Sequence, residues 1–273
     1  MGPLVEPGWL RERFGEPGLR VVDCRFRLGD PGAGERLWRE GHIPGAAFID
    51  LDRDLSAEPG ERGRHPLPEP ASFEAAASRA GISADTRVVA YDEAAEGGAA
   101  RLWWLLRHFG HDEVAVLNGG LAGWRAEGGP LEQGAEDITP GSLSAGPSRG
   151  RPIELEEIEG GGGPLLLDAR VPERYRGETE PIDAVAGHIP GAHNLPAGEL
   201  APGGRFLAPD ELRARFEAAG ASNAAELGAY CGSGVAACVI VLASELAGVG
   251  AARLYPGSWS EWSRRGLPVA RQE

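Results

Sequence analysis

Cysteine is scarce in this chain, with three in 273 residues. So small a number excludes a disulfide-stapled scaffold and fits a reducing compartment. Positive charge is also short: 27 basic residues stand against 41 acidic ones, a formal charge of -14. That balance repels phosphate backbones and anionic lipid, so neither nucleic acid nor a membrane is an expected partner. Long hydrophobic runs are missing too. The most apolar stretch, VAACVIVLASELA, is too short to cross a bilayer and contains Glu245. No basic leader followed by an apolar core opens the sequence. A soluble, cytoplasmic protein is expected.

The residues present suit a globular protein, since 42% hydrophobic and 25% charged residues are enough to bury a real core. The length fits two domains of ordinary size, and internal repeats say how they are related. VVDCR at 21–25 returns as LLDAR at 166–170, GHIPGA at 41–46 returns at 187–192, and VVAYD at 88–92 matches LGAYC at 227–231. Near the end of each half, LNGGLAGWRAEGGPL at 117–131 lines up with YPGSWSEWSRRGLPV at 255–269. The chain reads as a duplication: a first copy at 1–131, a Gly/Pro/Ser-rich linker at 132–150 and a second copy at 151–273.

Within each copy, short apolar runs such as LRVVD and RVVAY alternate with helix-like runs such as AARLWWLLRHFG. This alternation predicts an α/β fold with a parallel sheet flanked by helices in each copy. In such sheets the ligand site lies beyond the carboxyl ends of the strands. Cys231, in YCGSGVAAC, sits there, between a strand and a helix. Loop amides and the positive end of the helix would favour its thiolate, the nucleophilic form. The plainer alternative is a small residue tolerated at a tight turn. The first copy has Asp92 at this place, followed by EAAEGG and no equivalent loop, so one site per chain is expected.

Tandem copies with GHIPGA, a CGSGV loop in the second copy alone and a closing GSWSEW resemble the two-domain rhodanese family of sulfurtransferases over nearly the whole chain. The resemblance implies two rhodanese domains, each a parallel five-stranded sheet flanked by helices, with only the C-terminal copy catalytic. It implies a small anionic sulfur donor, thiosulfate or 3-mercaptopyruvate, and a persulfide on Cys231. The acceptor would be a thiol or cyanide, a thioredoxin-like protein among the thiols. The small residues Gly232, Ser233, Gly234, Val235 and Ala236 can turn their amides toward the sulfur. The chemistry requires no metal and no cofactor.

Between the GHIPGA histidine and the strand-end tyrosine the first copy has 49 positions and the second 42, and the gain falls in DLDRDLSAEPGERGRHPLP. In the mercaptopyruvate branch an acidic residue and a histidine from this region join the loop serine, which carries over to Asp52, His65 and Ser233. A solvated loop whose His65 touches nothing is the alternative. The arginine shortly after DAR that binds the donor's anionic end carries over to Arg174. A second arginine expected after an EP pair is Ile182 here, and Arg170 and Arg176 are local candidates of either structural or binding role. The active loop also lacks the basic residues common in thiosulfate enzymes. A rhodanese-like phosphatase would need an arginine where Ala237 stands, and a persulfide relay without turnover is the remaining rival. His42, His188, Cys24 and Cys238 are expected to be structural, and Trp259 and Trp262 either packed or covering the pocket.

Cys231→Ser is therefore expected to abolish both sulfur transfer and the extra sulfur mass acquired after donor treatment. Cys24→Ser and Cys238→Ser should retain both. Intact activity in the Cys231 variant would end the assignment.

Overall fold

The computed structural model describes residues 1–146, 148, 150–160, 163–223 and 225–271. The chain forms two compact units. One comprises Met1–Ala57, Leu67–Arg149 and Gly203–Arg205, and the other Glu58–Pro66, Gly150–Pro202 and Phe206–Glu273. The segment carrying His65 thus belongs to the second unit, although it lies in the first half of the sequence.

In the first unit, runs rich in β-branched residues form strands because those side chains fit a pleated surface. These strands are β1 (Leu4–Val5), β2 (Leu19–Asp23), β3 (Ala47–Phe48), β4 (Arg87–Tyr91) and β5 (Val114–Leu117). They pair in the order β1-β5-β4-β2-β3, all parallel. Parallel neighbours need crossovers, which are supplied by helices such as Ala33–Glu40, Pro70–Arg79 and Gly98–His108. Val21, Ile43, Val89, Tyr91, Leu121 and Trp124 meet in its core.

The second unit contains β6 (Leu165–Asp168), β7 (His193–Asn194), β8 (Leu227–Tyr230) and β9 (Arg253–Leu254), in the order β7-β6-β8-β9 and again all parallel. Four strands stand here, among the described residues, where the resemblance implies five. At the place corresponding to β1, the Ile153 N–H donates to the Leu254 carbonyl at 2.7 Å. Pro152 has no N–H to add to the ladder, and Glu154 already caps the helix Leu155–Glu159. The edge is held to one residue between them. Among the described residues no helix is long and apolar enough to cross a membrane.

The repeated motifs repeat because they build the same buried lock twice. In the first unit Arg25 Nη2 lies 2.6 Å from Asp23 Oδ2 and donates to the Gly41 carbonyl at 2.8 Å. Tyr91 Oη donates to Asp23 Oδ2 at 2.7 Å and accepts the Ile43 N–H at 3.3 Å. In the second unit Arg170 Nη2 lies 2.6 Å from Asp168 Oδ2 and donates to the Gly187 carbonyl at 2.8 Å, while Tyr230 Oη accepts the Ile189 N–H at 3.2 Å. One carboxylate thereby ties the DxR strand end to the GHIPG turn and to the next strand. Burial, reinforced by these carboxylates, pushes both phenols well above the ordinary tyrosine range. The GHIPG histidines serve the same frame: His42 Nδ1 donates to the Trp38 carbonyl and His188 Nδ1 to the Tyr175 carbonyl, each at 2.7 Å. Trp124 and Trp262 close the two copies alike, each donating to a proline carbonyl at 2.8 Å.

Removing one partner of such a pair leaves a charge buried and uncompensated, at a cost of about 3–5 kcal/mol. Arg25→Met is therefore expected to lower the urea midpoint of unfolding by a corresponding amount. An unchanged midpoint would show that the pair is dispensable.

Candidate active site

Cys231 directly follows β8, and the loop 232–236 leads from it into the helix Ala237–Ala247. The thiol is almost fully buried, and its Sγ accepts the Gly234 N–H at 3.1 Å. Gly234 has φ +80°, and a methyl group there would run into the Pro256 carbonyl. Only glycine meets both conditions, so this amide's direction is built into the sequence.

The rest of the strand end is zipped to the turn 255–260. The Cys231 N–H donates to Ser258 Oγ at 3.1 Å, and Ser258 Oγ donates in turn to the Tyr255 carbonyl at 2.9 Å. The Cys231 and Gly232 carbonyls accept the Trp259 and Ser260 amides at 3.0 and 2.9 Å. Ser258 has φ +53°, whereas its counterpart in the first copy is Gly120 at +57°. A side chain in this left-handed conformation costs roughly 1–2 kcal/mol. The second copy tolerates that strain and gains a hydroxyl on the amide of its cysteine.

The loop serine has a partner. Ser233 Oγ lies 2.7 Å from His65 Nδ1, with both residues buried. His65 is held there through its neighbours. The Arg64 N–H donates to Ser260 Oγ at 3.0 Å, and Gly63, at φ +98°, packs against the Gly257 carbonyl. Asp52 lies in the first unit, exposed, on a turn where its N–H donates to Asp50 Oδ1 at 3.0 Å.

Two guanidinium groups border Gly232. A methyl group on Gly232 would lie 3.2 Å from Arg64 Nη2 and 3.5 Å from Arg174 Nη2. Arg174 is gripped by Glu180, with Nη2 to Oε1 at 2.7 Å and Nε to Oε2 at 3.1 Å. Glu180 has its carboxyl below the ordinary range: burial works to raise it, and the Arg174 contacts prevail. Arg170 is almost fully buried in the frame. It repeats the contacts that Arg25 makes in the copy without a cysteine loop, and reaches Glu180 with Nη1 at 3.3 Å. Arg176 pairs with Glu178 at 2.6 Å on the surface. Ile182 is exposed.

The other sequence candidates are packed. Cys24 and Cys238 are fully buried, and burial followed by Asp23 raises the Cys24 thiol well above its ordinary range. Trp259 is completely buried, with Nε1 donating to the Val185 carbonyl at 2.9 Å and the Arg170 guanidinium 4.8 Å from its ring centre. In the first copy Asp92 occupies the place of Cys231, and its carboxylate accepts the Gly97 and Ala99 amides at 3.0 and 3.2 Å. Burial raises its carboxyl, against the pull of those amides. That loop is closed on its own anion. His42, Glu132 and Glu136 form a cluster of metal-ligating type, but His42 Nδ1 is committed to Trp38 and its Nε2 lies 3.0 Å from Glu136.

Sequence reasoning missed Arg64, Ser258 and Ser260. The signal for the serines was the alignment of the copies, which sets Gly120 against Ser258 and Ala122 against Ser260. For Arg64 it was adjacency: a residue next to His65 must come near whatever His65 reaches.

Comparison with known proteins agrees with this geometry. The model of the rhodanese-like domain matches twice, at residues 6–127 and 152–265. The chain belongs to the rhodanese family, as a tandem pair of its domains. A Pseudomonas aeruginosa protein provisionally named a 3-mercaptopyruvate sulfurtransferase is 48% identical over 267 residues, covering 95% of this chain and 94% of that protein. A Mycobacterium tuberculosis protein provisionally named thiosulfate sulfurtransferase SseB is 46% identical over 255 residues, covering 91% and 89%. The crystal structure of SseA from Escherichia coli, a 3-mercaptopyruvate sulfotransferase, superposes with a TM-score of 0.82 at 34% identity, covering 96% of this chain and all of that one.

Gly234→Ala tests the cradle. The methyl group forces the loop away from Pro256 and withdraws the amide from the sulfur, losing a bond to a charged acceptor of roughly 1.5–3 kcal/mol. Alkylation of Cys231 by iodoacetamide at neutral pH should slow by about tenfold or more. An unchanged rate would show that this amide does not activate the thiol.

Proposed function

We propose that the chain is a sulfurtransferase that takes sulfur from 3-mercaptopyruvate in preference to thiosulfate, through a persulfide on Cys231. The domain at 151–273 is the catalytic copy, 1–131 the inactive one and 132–150 the linker. The observation that carries this reading is the 2.7 Å contact between His65 Nδ1 and Ser233 Oγ, two residues from the cysteine whose Sγ accepts a loop amide.

The Cys231 thiolate attacks the donor sulfur. A sulfur–sulfur bond forms and the carbon–sulfur bond of mercaptopyruvate breaks, its electron pair passing into the adjacent carbonyl as an enolate. Proton transfer to the enolate carbon gives pyruvate. The acceptor, cyanide or a thiol such as that of a thioredoxin-like protein, then takes the outer sulfur and returns Cys231 as thiolate. The persulfide is anionic, and the amides of residues 232–236 stabilise it. Thiosulfate expels sulfite, a stable anion, and needs no proton donor at this step. Mercaptopyruvate does, and Ser233 with His65 behind it supplies one. A loop without basic side chains suits a monoanionic donor better than a dianion. Arg174 holds the donor's carboxylate, and the Cys231 thiol stays reduced in a cytoplasmic compartment.

His65→Ala should depress mercaptopyruvate turnover by about 10²-fold or more, the usual scale for a general acid or base, and reduce thiosulfate turnover far less. Equal losses with both donors would make His65 structural.

A further inference from the structure

We infer that Arg64 is the second guanidinium of the donor-binding subsite, sharing the donor's carboxylate with Arg174; this inference rests on the sulfurtransferase reading above. The two side chains reach the same place from different parts of one unit. A methyl group on Gly232, the residue after the nucleophile, would have Arg64 Nη2 at 3.2 Å and Arg174 Nη2 and Nη1 at 3.5 and 3.6 Å as its nearest neighbours. Asp183 connects them: it accepts from both terminal nitrogens of Arg64, Nη1 to Oδ1 at 2.6 Å and Nη2 to Oδ2 at 3.4 Å, and its Oδ2 lies 3.7 Å from Arg174 Nη2. A shared carboxylate of this kind keeps two cations close together and aims both forks.

The donors that remain are those an anion would use. Arg64 Nε is buried and has no hydrogen-bond partner among the described residues. A buried N–H left unpaired is costly, and an unmet donor of this kind in a native site calls for an acceptor. Glu180 occupies Nε and Nη2 of Arg174, while Nη1 has no described bond. The local charges balance before a donor arrives: Arg64, Arg170 and Arg174 face Asp168, Glu180 and Asp183 across ion pairs of 2.6–3.7 Å. An incoming carboxylate therefore meets oriented donors within a neutral cluster, and its binding depends on fork geometry more than on excess charge.

Arg64 is also fixed in place. Its N–H is bonded to Ser260 Oγ at 3.0 Å, and Gly60 and Gly63 exchange amide bonds at 3.0 and 3.1 Å just before it. Its position accounts for Ile182. The chain has no lysine, so every fixed side-chain cation is an arginine, and the one missing beside Asp183 is supplied from the 58–66 segment.

Arg64→Gln should raise the KM for 3-mercaptopyruvate by about ten- to a hundredfold and leave the KM for cyanide unchanged. Arg64→Lys, which keeps the charge but not the fork, should fall between. Asp183→Asn removes the tie yet leaves the guanidinium, and should raise the donor KM much less than Arg64→Gln. Pyruvate gives a second readout, by protecting Cys231 against iodoacetamide, and Arg64→Gln should weaken that protection by a similar factor. An unchanged donor KM in Arg64→Gln, or equal damage from Arg64→Gln and Asp183→Asn, would overturn the inference and leave Arg64 as a tie for the His65 loop. Failure of the sulfurtransferase reading looks different: the wild-type protein would turn over neither donor, and the pyruvate protection would still report on Arg64.

Discussion

The buried pair of Asp168 and Arg170 is the contact from which the rest of the second unit is organised. Asp168 closes β6, and Arg170 carries its charge to the Gly187 carbonyl of the GHIPG turn. Arg170 also reaches Glu180, which grips Arg174. Asp183, three residues on, holds Arg64, whose neighbour His65 lies against Ser233. An ion pair buried this deeply is poor evidence of net stability, because its desolvation is expensive. Its structural consequence is registry: it sets which strand end faces which turn, and Arg174 is aligned from it through Glu180.

The first copy shows the frame without the cysteine. It keeps the Asp23–Arg25 pair, the tyrosine bond and the closing tryptophan, but its loop folds its own Asp92 carboxylate onto its amides. The second copy places a sulfur there and adds two hydroxyls, on Ser258 and Ser260, where the first has Gly120 and Ala122. One hydroxyl holds the amide of the cysteine and the other the amide of Arg64. The positive φ of Ser258 is the local strain that goes with this gain, of the kind concentrated at functional sites.

Much of this was legible in the sequence because duplication separates frame from function. Residues present in both copies, such as His42 and His188, proved to belong to the frame, and Cys231, present in one, stood out. The α/β architecture followed from alternating apolar runs. The absence of a fifth strand from the second sheet among the described residues did not, since this edge depends on Pro152 and Glu154 bracketing one residue rather than on any apolar pattern. Arg64 was hidden for another reason. Nothing local marks an arginine in a polar loop as anything but solvated, and its meaning comes from contacts with Asp183 and Ser260, 119 and 196 positions away. Arg170, left open by the sequence as structural or binding, makes the frame contacts that Arg25 makes in the first copy.

The proposed reaction is transfer of sulfur from a carbon-bound thiol by one cysteine loop backed by a proton donor. The most direct measurement is kcat/KM for 3-mercaptopyruvate and for thiosulfate, side by side on one preparation with cyanide as acceptor. A clear preference for 3-mercaptopyruvate is expected. A preference for thiosulfate would contradict it.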